Sequence, residues 1–246
     1  MLVERYFHKL REVLDKIEAT QIENIRCAAE MIVESAKSGG CVHLLDTGHM
    51  LAHEAVGRAG GLMMMTPVHF NVEVANPARP RGLPAKPRIF ADEIQGLSDY
   101  VLSSSSIYPG DVLIVGSVSG KNALPVDVAL KAQATGVKVV AITSVEYSKA
   151  LPSRHPSGKR LYEVADVVID NCGAVGDAAV DVPGLDVSIC PTSGIAAAHI
   201  IWALTAEIVE RLMACGIKPS IYKSNHAAGA SRHNADARAT FLKTGF

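Results

Sequence analysis

Residues 111–122 read DVLIVGSVSGKN, and this stretch decides the fold. Its first half, 111–116, is an apolar run of strand length, and its second half is a loop of small and polar residues that opens a helix. A strand without polar alternation is typical of a parallel sheet that is covered on both faces. The stretch therefore predicts a buried parallel strand that carries a polar loop to one edge of a sheet.

The same alternation of strand and helix extends along the chain in both directions. Further strands are expected at Cys41–Leu45, Val137–Ile142, Val167–Ile169 and Val187–Cys190. Helices are expected at 49–60, 123–135 and 193–215. Alternating elements of this kind predict an α/β fold, a three-layer α-β-α sandwich with a mainly parallel, doubly wound sheet.

Two amphipathic helices are expected before the sheet. Apolar residues recur at three- and four-residue steps from Val3 to Ile17, and a second series runs from Ile22 to Ala36. The glycines of Ser38-Gly39-Gly40 end the second helix. The two apolar stripes exceed what one small sheet need cover, which predicts a homo-oligomer, a dimer or tetramer.

Composition excludes several classes of protein. The 246 residues, 48% hydrophobic and 20% charged, suit one large or two small α/β domains rather than a disordered chain. The net charge is −1 and basic and acidic residues are interspersed, so the sequence gives no broad basic region of the kind that binds nucleic acid. No uncharged apolar run is long enough to cross a membrane. Five scattered cysteines without Cys-x-x-Cys favour free thiols, and the N-terminus lacks a secretory apolar core. We expect a cytoplasmic protein without a cofactor.

The loop after the 111–116 strand is the strongest candidate for an anion site. Phosphate needs several converging donors and little steric bulk, which two serine hydroxyls, a glycine and a helix start supply. The candidate residues are Ser117, Ser119, Gly120, Lys121 and Asn122. The loop lacks the P-loop and dinucleotide-binding glycine patterns, and a capped turn without a ligand explains it equally well.

Two more loops follow predicted strands at the edge where parallel sheets bind ligands. Thr143, Ser144 and Ser148 follow the 137–142 strand, and their hydroxyls are placed to reach the same anion. Thr47, Gly48 and His49 follow the first strand. The alternatives are a solvated serine-rich turn and a tight strand-to-helix turn.

Taken together, the three loops resemble the sugar isomerase (SIS) domain family. A Gly-containing turn, then Ser-x-Ser-Gly-x-Asn, then Ala-Ile-Thr-Ser-x-x-x-Ser-x-Leu occur in that order between about Leu10 and Leu212. The likeness is nearest to a single-domain branch close to the phosphoheptose isomerases. It implies one SIS domain over 1–246, with N-terminal helices at 1–38, an α/β core at 41–215 and a tail at 216–246.

The resemblance also implies a ligand, a phosphorylated sugar that the second and third loops hold. Lys121 departs from the family pattern, where a small or polar residue is common, and either adds a phosphate contact or points to solvent. SIS proteins complete the site with residues of a second subunit. In this chain the tail residues His226, His233 or Asn234 are candidates for that role.

Glu54 and His199 are the predicted catalytic groups. Aldose–ketose isomerisation requires a base beside the proton that moves between neighbouring carbons. Glu54 stands in a Glu-x-x-Gly-Arg run similar to that of phosphoheptose isomerases, which implies that it is this base; the alternative is an ion pair with Arg58. His199 resembles their histidine on the C-terminal helix, but without its Glu-x-x-His context, and a solvent-facing or core histidine is the alternative.

Other charged residues have simpler explanations. His49 and His53 are spaced to bind a metal, but no third ligand is evident, and we expect none to bind. His43 alternates with apolar strand residues and is expected to be structural. The Pro-rich stretch 71–90 either closes over an anionic substrate or is a solvated loop; its basic residues are Arg79, Arg81, Lys86 and Arg88.

Three functions are compatible with this sequence. The first is a phosphosugar-binding protein that acts as an aldose–ketose isomerase. The second is an amino-sugar-phosphate lyase that pairs Glu54 with Glu93 or Glu73. The third is a non-catalytic sugar-phosphate sensor or adaptor.

Overall fold

A computed structural model describes residues 1–48, 50–77, 79, 81–82, 84, 87 and 89–246. The main-sheet strands are β1 (Val42–Asp46), β2 (Met65–Pro67), β3 (Val112–Gly116), β4 (Lys138–Thr143) and β5 (Val167–Asp170). The helices are α1 (Leu2–Thr20), α2 (Ile22–Lys37), α3 (Ala52–Ala55), α4 (Leu97–Ser103), α5 (Ala123–Ala134), α6 (Val145–Lys149), α7 (Ser193–Ala214) and α8 (Ala230–Thr244). A hairpin pairs β6 (Ala178–Val180) with β7 (Ile189–Pro191).

The five main strands are all parallel, in the order β2-β1-β3-β4-β5. The strand order reverses between β1 and β3, so the connections leave in opposite directions at that point. Asp46 pairs with Gly116, which pairs with Ile142, and the carboxyl ends of the three central strands therefore lie level at one edge. A reversal of this kind opens a crevice outside the strand ends.

Both faces of the sheet are covered, which explains the apolar strands. Alternate strand residues point to opposite faces. Ile114 packs into a cluster with α2 and α7, whereas Val115 packs into a second cluster with α4 and α5. The predicted α/β fold with its N-terminal helices is confirmed. Among the helices of the described residues, none is both long and apolar enough to cross a membrane.

Two predicted elements were wrong. The helix expected at 49–60 is reduced to α3, because Gly57 and Gly60 adopt φ values of +70° and +85° that a right-handed helix does not contain. The strand expected at Val187–Cys190 does not join the parallel sheet. Residues Ile189–Pro191 instead pair antiparallel with β6, in a separate two-stranded sheet.

The polar tail is folded, which the sequence did not reveal. The main-chain N–H of Met63 donates to Ser220 at 3.0 Å, and that of Tyr222 donates to Gly61 at 3.0 Å. The last helix, α8, follows, and it buries only Ala230 fully. Because α8 has no broad apolar stripe, the periodicity that predicts helices gave no signal there.

Candidate functional site

A cavity of about 270 Å³ lies at the strand-order reversal between β1 and β3. The loops after these two strands form most of its wall, and Tyr147 of α6 and the segment 176–177 close it. This is the edge at which doubly wound sheets bind ligands. The loop predicted to hold an anion and the loop after the first strand therefore meet at one cavity.

The loop after β3 presents unused hydrogen-bond donors. Ser117 and Ser119 both line the cavity, and within the described residues neither hydroxyl has a hydrogen-bond partner. The main-chain N–H groups of residues 119–122 likewise have no acceptor in that part of the chain. Asn122 begins α5, and its Oδ1 is buried without a partner among the same residues. Several donors next to a helix N-terminus form an environment that favours an anion.

Gly120 holds this loop against the rest of the protein. Its φ is +55°, and a β-carbon there would lie 2.8 Å from Thr143 Oγ1 and 3.2 Å from Ser148 Oγ. Its carbonyl accepts from the N–H of Leu161 at 2.8 Å. Only glycine satisfies both the backbone angle and the close approach.

The third loop supports the second loop rather than lining the cavity. Thr143 Oγ1 donates to the carbonyl of Val118 at 3.1 Å, and Ser144 Oγ donates to the carbonyl of Gly173 at 2.6 Å. Thr143, Ser144 and Ser148 are all fully buried. None of these three predicted phosphate ligands is on the cavity wall; the hydroxyls of Thr143 and Ser144 bond within the protein, whereas that of Ser148 is buried without a partner among the described residues.

The polar groups of the loop after β1 already bond to one another and to β3. Asp46 accepts from the N–H groups of Gly48 at 3.0 Å and Leu51 at 2.7 Å, and Thr47 Oγ1 donates to the carbonyl of Gly116 at 3.1 Å. Thr47 and Gly48 line the cavity, as predicted. The Thr47 hydroxyl and the Gly48 N–H, however, already donate hydrogen bonds within the protein. His49 lies outside the described residues, as do Lys86 and Arg88 of the Pro-rich stretch.

Among the polar side chains that line the cavity, three were not predicted: Asp46, Tyr147 and Asp177. Asp177, with φ +65°, accepts from the N–H of Ser193 at 2.9 Å and from its hydroxyl at 2.7 Å, and so anchors the start of α7. Asp46 directly follows the strand predicted at Cys41–Leu45, so the rule that ligands bind at strand ends could have identified it. The sequence gives no local signal for Asp177, which is 16 residues from its partner.

Glu54 does not lie on the cavity wall. Its carboxylate lies 3.3 Å from Arg58 Nη2 and accepts from the indole N–H of Trp202 at 3.4 Å. The structure thus shows the ion pair that was the alternative interpretation. His199 Nε2 lies 3.3 Å from a carboxylate oxygen of Glu18. Trp202, the partner of Glu54, is three residues from His199 on α7, and the side chains of Glu54 and His199 are each 33% exposed.

The remaining candidates also lie elsewhere. His43 forms a buried pair with Asp111 at 3.0 Å. His53, Glu73, Arg79, Arg81 and His226 are exposed. His233 lies 3.0 Å from the carbonyl of Ile221, and Asn234 bonds to both main-chain groups of Lys223. Lys121 is not among the residues that line the cavity. Across the described residues, no three His, Cys, Asp or Glu side chains are grouped to hold a metal.

A larger cavity, of about 630 Å³, lies on the outer side of α5. Its ionisable residues include Glu93, Asp127, Arg154 and His155. Partial burial alone raises the pKa of Asp127, but hydrogen bonds from Ser98, Lys131 and His155 outweigh it and hold that pKa below its ordinary value. Asp127 and His155 of this cavity are thus engaged within the chain, whereas in the smaller cavity the hydroxyls of Ser117 and Ser119 have no partner among the described residues.

Comparison with known proteins decides the family. Residues 5–144, more than half of the chain, match the model of the SIS domain. The chain belongs to the SIS domain family. This SIS chain is 37% identical to a UPF0309 protein of Geobacillus kaustophilus over 235 residues, 95% of the chain and 91% of that relative. It is 34% identical to a UPF0309 protein of Streptomyces griseus over 239 residues, 95% of the chain and 92% of that relative.

Solved structures share the SIS fold. A phosphoheptose isomerase from Francisella tularensis superposes with a TM-score of 0.52 at 14% identity, covering 85% of this chain and 96% of that one. A putative phosphosugar isomerase from Bacteroides fragilis gives 0.53 at 17% identity, covering 86% and 90%. At such identities the likeness concerns the fold alone. The resemblance predicted from the three loops is confirmed.

Proposed function

We propose that this SIS chain binds a phosphorylated sugar, with the phosphate in the cavity at the ends of β1 and β3. The observation that carries the proposal is that Ser117 and Ser119 line that cavity, and that within the described residues neither their hydroxyls nor the main-chain N–H groups of 119–122 have a hydrogen-bond partner. An anion there is stabilised by charge-assisted hydrogen bonds and by the N-terminus of α5. The family, and the isomerase names of structural neighbours, support the sugar part of the proposal.

Two carboxylates on the cavity wall have to be reconciled with an anionic ligand. Asp46 accepts two main-chain hydrogen bonds from its own loop, and Asp177 accepts two hydrogen bonds from Ser193 at the start of α7. Each negative charge is therefore compensated by donors on the protein side. The unused donors of the loop after β3 remain for the ligand.

A titration with paired ligands tests the binding proposal. Each sugar phosphate of a hexose, heptose and pentose series is titrated calorimetrically beside the same sugar without phosphate. We expect measurable binding for at least one phosphorylated member and none for its unphosphorylated partner. Binding of neither form at millimolar concentration, with the protein shown to be folded, contradicts the proposal.

For the reaction, we propose aldose–ketose isomerisation with Glu54 and His199 as the catalytic pair of a homo-oligomer. Glu54 of α3 contacts Trp202 of α7, three residues from His199, and neither Glu54 nor His199 lines the cavity of its own chain. A second copy of the chain that docks over Glu54 and His199 would bring them to its cavity. Proton transfer through an enediol needs this kind of base and acid within hydrogen-bond reach.

Mixing two defective variants tests this arrangement. Glu54→Gln lacks the base, and Ser117→Ala/Ser119→Ala lacks the phosphate donors. In deuterated water, exchange at the carbon beside the carbonyl should be lost in each variant alone and regained in the mixture. Absence of exchange in the unaltered protein with every sugar phosphate that binds rejects isomerisation while leaving the binding proposal intact.

A further inference from the structure

A second cavity, of about 340 Å³, adjoins the phosphate cavity. The two share Asp46, Thr47, Gly48 and Asn122, so they form one continuous groove over the start of α5. Small-molecule sites usually have volumes of about 300–1,000 Å³. The phosphate cavity, at about 270 Å³, is slightly below that range and the second, at about 340 Å³, is at its lower end, so together they offer room for a sugar phosphate with a substituent.

The second cavity has an apolar and aromatic outer wall. Phe70, Phe90, Leu124 and Pro125 line it, with His69 as the neighbouring polar side chain. These four apolar side chains offer no hydrogen-bond partner to the hydroxyls of a sugar chain. The wall instead fits a small apolar group, and the imidazole of His69 offers a hydrogen bond at its edge.

Main-chain hydrogen bonds position the segments that carry the two aromatic residues. The N–H of Val68 donates to the carbonyl of Leu44 at 2.8 Å, which fixes the segment leading to Phe70 beside β1. Phe90 exchanges two hydrogen bonds with Glu93: its N–H donates to the carboxylate at 3.0 Å, and its carbonyl accepts from the N–H of Glu93 at 2.9 Å. Phe90 is nevertheless 60% exposed, so one ring face is free to be covered.

We propose that the substrate is a phosphosugar with an acylamino substituent, whose acyl group packs against Phe70 and Phe90 and whose amide faces His69. This inference rests on the proposed function, because the phosphate has to lie at Ser117 and Ser119. An acetyl group supplies one methyl for the aromatic wall and one amide for the imidazole. The two contacts together predict about a tenfold gain in affinity over a hydroxyl at the same carbon.

The test compares two ligands that differ only in that substituent. N-acetylglucosamine 6-phosphate and glucose 6-phosphate are titrated calorimetrically into the unaltered protein, and we expect the first to bind about tenfold more tightly. Phe90→Ala should reduce the ratio of the two affinities to near one. Tyr108→Ala, at an exposed aromatic residue outside the cavities described above, serves as the control and should keep the ratio.

The possible outcomes separate this inference from the proposed function. Equal affinities, or tighter binding of glucose 6-phosphate, overturn the acylamino inference while the phosphosugar proposal stands. A tenfold ratio that survives both Phe90→Ala and Phe70→Ala also overturns it, because the aromatic wall would then play no part. Binding of neither ligand nor of any other sugar phosphate overturns both proposals.

Discussion

Gly120 lies so close to Thr143 that a β-carbon on the glycine would be 2.8 Å from the threonine hydroxyl oxygen. The contact presses the loop after β3 onto the loop after β4 and determines where Ser117 and Ser119 point. Substituting Gly120→Ala should therefore displace the loop. We expect a loss of more than tenfold in sugar-phosphate affinity and a free energy of unfolding lower by about 1–3 kcal/mol, measured by calorimetry and by urea denaturation.

Gly158 provides the matched control for that substitution. Its φ is +72°, and nothing lies within 4 Å of the β-carbon position. Gly158→Ala thus introduces comparable backbone strain, about 1–2 kcal/mol, without the overlap. It should leave affinity unchanged. Equal effects of the two substitutions on affinity would show that the contact with Thr143 does not position the site.

Ser117 and Ser144 should respond in opposite ways to alanine substitution. Ser117→Ala removes a hydroxyl that has no partner in the described part of the protein, so stability should change by less than about 0.5 kcal/mol. Affinity for a sugar phosphate should fall about 10- to 100-fold, the effect of one hydrogen bond to a charged group. Calorimetric titration and thermal unfolding measure the two quantities.

Ser144→Ala removes a buried donor to the carbonyl of Gly173 and an acceptor for the N–H of Tyr147. We expect the free energy of unfolding to fall by about 1–3 kcal/mol, because buried polar groups lose their partners. Direct contact with the ligand is not expected. If Ser144→Ala weakened binding as much as Ser117→Ala at full stability, the hydroxyls of the third loop would belong to the site after all.

The sequence was sufficient for the fold and for part of the site, for a physical reason. Strands buried on both faces carry an unambiguous apolar pattern, and ligands collect at their carboxyl ends, so the loop after residues 111–116 was identifiable. Hydroxyl orientation carries no such pattern. Thr143 and Ser144 have the residue types of phosphate ligands, yet long-range contacts bury both of them.

The catalytic residues illustrate a second limit. Whether Glu54 faces a cavity or Arg58 depends on how α3 lies against α7, and Trp202, far along the chain, determines that contact. The sequence also gave the wrong length for α3. Its apolar spacing predicts a longer helix, whereas Gly57 and Gly60 adopt left-handed backbone angles that stop it. In the tail, α8 has too few buried residues to impose a helical period on its sequence.

Asp111 is expected to be a major contributor to stability. Both it and His43 are buried, and their side chains lie 3.0 Å apart; Asp111 also accepts from the N–H groups of Cys41 and Tyr108 at 2.8 Å each. Asp111→Ala should lower the free energy of unfolding by about 3–5 kcal/mol, because it leaves several buried donors unpaired. Asp111→Asn, which retains one acceptor oxygen, should cost less. Denaturant unfolding that shows both variants within 0.5 kcal/mol of the parent would contradict this role.

Asp127 should contribute to the loss of stability in acid. Burial raises the pKa of Asp127, but hydrogen bonds from Ser98, Lys131 and His155 lower it by a larger amount. The folded-state pKa therefore lies below the ordinary 3.8. A carboxyl with a depressed folded pKa stabilises the protein above its unfolded pKa. That contribution is lost as the pH falls from about 3.8 through the lower folded value.

Replacing Asp127 with Asn should therefore flatten the acid limb of the stability profile below about pH 4.5. The free energy of unfolding is measured in urea at a series of pH values from 3 to 7. Asp99→Asn is the control, because Asp99 contacts the same Lys131 but is mostly exposed, with 66% of its side-chain surface accessible. An acid limb of unchanged slope in Asp127→Asn would contradict the prediction.

The position of a bound phosphate tests the account most directly. Crystals of the protein are soaked with a sugar phosphate that binds in solution, and the phosphorus atom is located. We predict that it lies at the cavity between β1 and β3, with Ser117 Oγ, Ser119 Oγ and main-chain N–H groups of the loop within hydrogen-bond distance. A phosphate in the larger cavity beside Arg154, with the two serines unengaged, would contradict the central claim.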